Sequence, residues 1–106
     1  MAKYLQVALN VPLNQTFTYL NIEPSGISRI GCRVEIKFGA RKTKGCVVGE
    51  LENLPPDFPI EESKIRPITK VIDEKPLLTL ELIELAFWVS KYYICAIGEA
   101  VSAMLP

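Results

Sequence analysis

The chain of 106 residues contains no histidine and only three cysteines, Cys32, Cys46 and Cys95, with no Cys-x-x-Cys pair. Histidine is the commonest participant in zinc sites and in nucleophilic catalysis by serine or cysteine, so both kinds of site are disfavoured. An odd, dispersed set of cysteines is typical of buried free thiols in a reducing compartment. We therefore expect no metal site, although three cysteines could bind a metal on paper.

Segments that would place the chain in a membrane are also missing. Apolar runs such as Leu85 to Val89 are far shorter than the roughly 20 residues that span a bilayer. No signal peptide is visible, because Lys3 is followed by strand-like alternation instead of an apolar block. We expect no membrane partner and a cytoplasmic location.

Motifs of nucleotide-binding and acid–base enzymes are absent too. The chain has no Gly-x-x-x-x-Gly-Lys loop and no glycine-rich dinucleotide fingerprint. Asp57 and Asp73 are the only aspartates, and the pair Glu61-Glu62 is more typical of a solvated face than of two convergent catalytic acids. We therefore expect no catalytic residue and no ATPase activity in this chain, and a small hydrolase is the weakest alternative.

The charge is balanced, with 12 basic and 12 acidic side chains, but it is unevenly distributed. Residues 29–44 carry six basic side chains against Glu35 alone, and residues 46–63 carry five acidic side chains and no basic one. Three basic side chains follow within residues 64–70. Two basic segments that meet in space would form a phosphate-binding surface. Alternatively, edge strands carry lysine and arginine to prevent aggregation.

Alternation of apolar and polar residues predicts five strands. They cover Tyr4–Val11, Thr16–Asn21, Cys32–Phe38, Gly45–Leu51 and Ile65–Ile72. In the third strand, Val34, Ile36 and Phe38 are expected to point inward. Pro67 restricts the fifth strand to an edge or a bulge, because proline cannot donate to the ladder.

The segments between these strands carry turn and bulge signals. Residues 23–26 predict a turn, since proline presets φ and glycine permits a positive φ. Residues 39–44 are expected to form a basic loop. Gly45 and Gly49, in the fourth strand, indicate a bulge or a close backbone approach.

The composition becomes helical after residue 76. Thr79 is a good N-cap for a helix that should run to about Tyr93, and Leu78 could pack on Ile83 as a hydrophobic staple. Gly98 indicates a break, and a second short helix is expected over residues 99–105. Residues at helical spacing predict a core-facing stripe on the first helix, comprising Leu82, Leu85, Ala86, Val89 and Tyr93.

Strands followed by helices predict an α+β domain. We expect a small, OB-like curved antiparallel β-sheet or partly open barrel with a C-terminal helical segment. Residues 1–106 would form a single domain, with a β-rich part over 1–73 and a helical part over 77–106. The apolar end at residues 105–106 is typical of a fragment of a longer protein.

Two places carry candidate binding residues. In the second predicted strand, Phe17 and Tyr19 lie on one face and Thr18 on the other, so rings and hydroxyls emerge side by side and could form a ledge for a base. Gly39 follows the aromatic Phe38 and precedes basic residues, which would let a backbone N–H approach a ligand. On local grounds an ordinary hairpin, with core aromatics and a turn glycine, is the favoured explanation of both places.

Taken in order, motifs across nearly the whole chain resemble one family. The earlier ones are Val11-Pro12-Leu13, Thr16-Phe17, Tyr19-Leu20, Gly31-Cys32-Arg33-Val34, Phe38-Gly39 and Gly45-Cys46-Val47-Val48. The later ones are Lys64-Ile65-Arg66-Pro67-Ile68, Val71-Ile72-Asp73, Pro76, Trp88, Tyr92-Tyr93, Ile97-Gly98-Glu99 and Leu105-Pro106. Their order and spacing resemble the N-terminal domain of the PriA (primosomal protein N′) replication-restart helicases.

This resemblance implies the 3′ DNA-binding domain of a longer ATP-dependent 3′–5′ DNA helicase. In that family the domain captures the 3′-hydroxyl end of the nascent leading strand at a stalled replication fork. It thereby orients the helicase for replication restart and primosome assembly. ATP with Mg²⁺, zinc, the primosome and single-strand-binding proteins would be bound elsewhere in the full-length, nucleoid-associated protein, and this fragment would need no cofactor.

The resemblance also implies individual site residues. Phe17, Tyr19 and Gly39 match the family's pocket for the terminal nucleotide in type, and Arg66 matches its basic residue before the helix. Thr18 departs from the pattern, because the family often has an acid there, and a hydroxyl accepts weaker hydrogen bonds than a carboxylate. Further phosphate contacts are expected from Arg41, Lys42, Lys44 and Lys64.

Two other functions stay open at this point. An RNA-binding barrel of the translation machinery would bind RNA better than DNA. A protein-interaction domain would use the charged segments to dock a partner and would bind no oligonucleotide.

Overall fold

The computed structural model describes residues 2–22, 27–93 and 95–105, and the turn expected at residues 23–26 lies outside these ranges. The described residues form five strands, one 3₁₀ turn and two α-helices. These are β1 (Tyr4–Ala8), β2 (Phe17–Leu20), β3 (Arg33–Phe38), β4 (Arg41–Leu51), the 3₁₀ turn (Glu62–Lys64), β5 (Lys70–Val71), α1 (Leu80–Tyr92) and α2 (Ile97–Met104). Neither of these two helices combines the length and the apolar character that crossing a bilayer requires.

The five strands form one antiparallel sheet in the order β2-β1-β4-β3-β5. The segment before β5 also pairs with the opposite edge of the sheet. The Leu20 amide donates to the Arg66 carbonyl at 2.9 Å, and the Ile68 amide donates to the Leu20 carbonyl at 3.0 Å. The sheet is thus bent into a partly closed barrel, which confirms the predicted α+β, OB-like architecture.

The barrel interior follows the alternation in the sequence. Its buried side chains are Leu5, Val7, Leu9, Tyr19, Val34, Ile36, Val47 and Ile68. The inward placement of Val34 and Ile36 is confirmed, but that of Phe38 is wrong, because this ring is 36% exposed. Phe38 is the last residue of β3, where the hairpin extends past the barrel, and its ring meets Phe17 edge-on at 4.9 Å between centroids.

The ends of three predicted strands were wrong, and the first of them, β1, ends at Ala8 instead of Val11. Residues 41–44, expected as a loop, belong to β4 and pair with β3, so the turn consists only of Gly39 and Ala40. Gly39 has φ 66°, a left-handed conformation that costs glycine little. The expected strand at residues 65–72 is reduced to β5 and an isolated bridge at Pro67, which has no N–H for a ladder.

A bulge lies where β1 crosses the middle of β4. Gln6 pairs with Gly49 and Val7 pairs with Val47, so Val48 is an extra residue in β4. A Cβ at Gly49 would lie 2.4 Å from Oε1 of Gln6. The bulge predicted from the glycines is confirmed here, whereas the nearest atom to the Gly49 Cβ position belongs to a side chain and not to the backbone.

The start of α1 is as predicted, but its buried face is not. The Leu82 amide donates to the Thr79 hydroxyl at 3.2 Å, so Thr79 is the N-cap. The residues that α1 buries are Ile83, Ala86 and Ser90, with Val89 partly buried. Of the predicted stripe, Leu82, Leu85 and Tyr93 are exposed. Apolar side chains surround most of this helix, so spacing alone does not choose the face that packs.

The second helix begins at Ile97, earlier than expected, and Gly98 lies inside its first turn rather than at a break. A Cβ at Gly98 would lie only 1.4 Å from the carbonyl oxygen of Leu9. Gly98 therefore lets α2 approach the end of β1. A second core lies between the sheet and the helices and contains Ala8, Cys46, Val48, Leu78, Ile83, Ala86, Ile97, Ala100 and Val101.

Candidate nucleic-acid interface

An open cleft of about 400 Å³ lies beside β2, between the Gly39 turn and residues 58–66. Six of the nine residues predicted for binding line it, namely Phe17, Thr18, Tyr19, Gly39, Lys64 and Arg66. They come from three distant stretches of the chain. The barrel brings these stretches together because residues 66–68 pair with β2 at Leu20.

Arg66 and Gly39 are in direct contact at the rim of this cleft. Nη1 of Arg66 donates to the Gly39 carbonyl at 2.8 Å, although the two residues are 27 positions apart. Guanidinium has five N–H donors in a planar fork, so this bond leaves others for a ligand. Apart from Gly39 and its two chain neighbours, no atom of the described residues lies within 4 Å of a Cβ built on Gly39, so the turn has open space on this side.

The two aromatic residues of β2 have different roles. Tyr19 is buried and its hydroxyl donates to the Lys37 carbonyl at 2.9 Å, which ties β2 to the end of β3. Burial raises the pKa of Tyr19 and the nearby Arg66 charge opposes this, so the hydroxyl remains a donor at neutral pH. Phe17 is only half-buried and supplies the aromatic surface at the cleft.

Thr18 and Gln6 form a neutral polar pair in the cleft. They are directly opposite each other in the β1–β2 register, and both are half-buried. The hydroxyl and the amide can each donate and accept a hydrogen bond. Sequence reasoning missed Gln6, because its pairing with Thr18 depends on the register.

The wall facing β2 consists of residues 58–60 and 64–65, of which only Lys64 had been predicted as a binding residue. Glu62 anchors this wall, because its carboxylate accepts hydrogen bonds from the Tyr4 hydroxyl and from Lys3 at 3.0 Å. The hydrogen bond from Tyr4, followed by that from Lys3, lowers the pKa of Glu62. These contacts position the 3₁₀ turn that carries Lys64.

The predicted phosphate contacts separate into two groups. Lys64 lines the cleft, whereas Arg41, Lys42 and Lys44 lie on β4 and line a different groove. Lys37, which was not predicted, also lines the cleft. It could have been found from the hairpin, since the short turn at Gly39 places Lys37 beside the binding residues.

The cysteines offer no reactive site. Cys32 and Cys46 are buried free thiols, and Cys95 is half-buried. Burial raises the pKa of Cys46 to about 11, which keeps the thiol protonated. Within residues 2–22, 27–93 and 95–105 there is no cluster of three or more side chains suited to hold a metal ion.

Comparison of the sequence with known proteins places the chain in a family. The pattern of the PriA 3′ DNA-binding domain (3′BD) matches residues 6–106. The Replication restart protein PriA of Treponema pallidum is 34% identical over 107 aligned positions, which cover 100% of this chain and 16% of that protein. The proteins of the same name from Haemophilus influenzae and Synechocystis sp. are 31% and 34% identical, over 98% and 94% of this chain.

The chain spans only 16%, 14% and 12% of the length of these three relatives. The match therefore concerns one domain and not a whole protein of that size. The chain belongs to the family of PriA 3′ DNA-binding domains.

Proposed function

We propose that this domain binds the 3′-hydroxyl end of single-stranded DNA in the cleft beside β2. The observation that carries the proposal is the contact between Arg66 and Gly39 at 2.8 Å. It unites the two residues that sequence reasoning had matched separately to a terminal-nucleotide pocket. DNA binding itself agrees with the family to which the chain belongs.

The cleft offers complementary groups for each part of a nucleotide. Arg66, Lys64 and Lys37 supply positive charge for the backbone phosphate. The half-exposed ring of Phe17 supplies a stacking surface, worth about 1–3 kcal/mol per base. Thr18 and Gln6 supply neutral donors and acceptors that suit a sugar hydroxyl.

The neutral pair also accounts for a preference for strand ends. An internal nucleotide has a second phosphate where the terminal nucleotide has its 3′-hydroxyl. Neither Thr18 nor Gln6 carries a charge, so neither can pair with that extra phosphate. A free hydroxyl can bind there with both hydrogen-bonding capacities satisfied, so we infer that the domain selects the end of the strand.

We further propose that the domain acts within a full-length ATP-dependent 3′–5′ DNA helicase of replication restart. The names of the relatives and the small part of each that the chain covers support this proposal. There the domain would hold the end of the nascent leading strand and orient the helicase for primosome assembly. The remainder of that protein would bind ATP, Mg²⁺ and zinc and would contact primosome and single-strand-binding proteins. The full-length protein would be cytoplasmic and associated with the nucleoid.

Fluorescence anisotropy with short labelled oligonucleotides tests the strand-end proposal. Oligonucleotides that differ only in a 3′-hydroxyl or a 3′-phosphate are compared, and the 3′-hydroxyl form should bind more tightly. Equal affinities would leave only a generic basic surface. A matched RNA oligonucleotide separates the other candidates, because tighter RNA binding would favour an RNA-binding barrel, and absence of all binding would favour a protein-interaction domain.

A further inference from the structure

The hairpin formed by β3 and β4 extends beyond the rest of the sheet. β4 pairs with β1 only from Cys46 onward, and β5 pairs with β3 only at Val34 and Glu35. Residues 36–44 therefore form a two-stranded segment, here called the ribbon, that has no further strand beside it among the described residues. Its four basic side chains, Lys37, Arg41, Lys42 and Lys44, are all exposed.

Two of these side chains form a like-charged pair across the ribbon. Lys37 is directly opposite Lys42 in the β3–β4 register, and directly opposite residues share one face of the ladder. Lys44 lies on the same face, two residues further along, which is about 7 Å away. Like charges directly opposite each other destabilise the pair of strands. An anion that contacts both lysines would replace this repulsion by two attractive contacts.

No internal carboxylate supplies this anion. Within residues 2–22, 27–93 and 95–105, no ion pair involves Lys37, Lys42 or Lys44. Glu35 is opposite Lys44, but the carboxylate of Glu35 lies 3.9 Å from the amino group of Lys70. Lysines also protect sheet edges from aggregation, but edge protection does not require two lysines that face and repel each other. The ribbon thus carries positive charge available to an external polyanion.

The charged face of the ribbon begins at the cleft described above. Lys37 lines that cleft, and its carbonyl accepts the hydrogen bond from Tyr19. Lys42 and Lys44 lie outside it. Arg66 and Lys64 already serve a nucleotide in the cleft, so the phosphates that would meet Lys42 and Lys44 belong to another part of the nucleic acid.

We propose that the ribbon binds the phosphate backbone of duplex DNA adjoining the 3′ end, an inference that rests on the proposed function of the cleft. Duplex DNA carries one charge per about 1.7 Å of axis, twice the density of a single strand, so a row of lysines releases more counterions from it. The major groove, about 12 Å wide, also admits a two-stranded β-ribbon. A primer paired to its template presents such a duplex directly behind its 3′ end.

The test uses the 106-residue chain and two ligands with the same 3′-terminal sequence. One is a single strand of about six nucleotides, and the other is a longer, stably annealed primer–template duplex whose primer ends in those six nucleotides. The double variant Lys42→Ala/Lys44→Ala should lose about tenfold in affinity for the duplex at low salt, and its log–log salt slope should fall by about 1.8. Its affinity for the single strand should stay within about twofold.

A matched variant, Lys75→Ala/Lys91→Ala, removes two exposed lysines elsewhere and should leave both affinities within about twofold of the original chain. An equal loss on both ligands, or no loss on the duplex, would overturn the ribbon proposal. Failure of the cleft proposal shows separately, as equal binding of 3′-hydroxyl and 3′-phosphate single strands by the unmodified chain. Lys42→Arg/Lys44→Arg should retain duplex binding, because it retains the charge.

Discussion

Aromatic side chains are exposed in two regions of the domain, at the cleft beside β2 and on helix α1. At the cleft, Phe17 lies beside Lys37 and Arg66, and its ring meets edge-on the ring of Phe38, which lines the neighbouring groove. On α1, the ring of Trp88 lies 4.8 Å from that of Tyr92 and 6.0 Å from that of Tyr93. The first region combines rings with cations that form no ion pair within the described part of the chain, and the second combines rings mainly with one another.

This difference shows why exposed rings alone do not locate a nucleic-acid site. Stacking on a ring tolerates any base, but the phosphates supply most of the affinity and need positive charge. Helix α1, which carries the other rings, has charges of both signs. Glu81 and Glu84 lie near its N-terminus, and Nζ of Lys91 lies 5.7 Å from the ring centroid of Tyr92. Four substitutions test whether the cleft and the helix differ in this way.

The largest loss of DNA affinity is expected from Arg66→Ala. It removes a charged donor, worth about 1.5–3 kcal/mol, and also releases the Gly39 turn. If Arg66 neutralises one phosphate, the log–log salt slope for single-stranded DNA should fall by roughly 0.7 in an anisotropy titration. Arg66→Lys, the control, should restore the slope but not the full affinity, because it lacks the planar fork. An unchanged slope would shift the phosphate contact to Lys64.

Phe17→Leu should produce the next loss. Leucine keeps an apolar group next to the barrel core but removes the ring, so stacking worth up to about 1–3 kcal/mol per base disappears. Thermal unfolding should show a shift of only a few degrees, which a change in stability of about 1 kcal/mol would cause. Binding that stays the same for a well-folded Phe17→Leu chain would mean that the base does not stack on this ring.

Thr18→Asp should change affinity in the opposite direction by a smaller amount. A carboxylate opposite Gln6 would accept a charge-assisted hydrogen bond from the terminal hydroxyl, which is worth about 0.5–1.5 kcal/mol more than the neutral one. Thr18→Val should lose a similar amount and preserve the fold, since valine favours strands. If both variants bind the 3′ end as the original chain does, Thr18 takes no part in the pocket.

The smallest effect on DNA binding is expected on α1. Trp88→Ala removes the central ring of the exposed cluster, but no cation of the cleft lies beside it. Its affinity for single-stranded DNA should stay within about twofold of the original value in the same titration. A loss as large as that of Arg66→Ala would show that the bound strand reaches α1.

The sequence predicted the barrel better than it predicted the helices, for a physical reason. A strand has two faces, so alternation is enough to place Val34 and Ile36 inside. Helix α1 is apolar around most of its circumference, and several stripes fit the helical period. Packing against α2 and the sheet selected Ile83 and Ala86, and left Leu85 47% exposed.

The candidate site was also only partly predictable. The residue types came from the resemblance to the family, and the structure brought six of the nine together in one cleft. Gln6 and Lys37 were missed because they enter the site through strand register and a turn of two residues. The three cations on β4 were expected beside the others, but the antiparallel ladder carries them along the ribbon instead.

The sequence by itself determined the features that depend on a few neighbouring residues. These include the inward placement of Val34 and Ile36 and the cap at Thr79. Tertiary structure alone decided the burial of α1 and the contact between Arg66 and Gly39. The physical reason is the separation along the sequence over which each interaction acts. A cap or an alternating pattern depends on residues within about one helical turn or one strand. A contact across 27 positions exists only once the barrel brings residues 66–68 to β2.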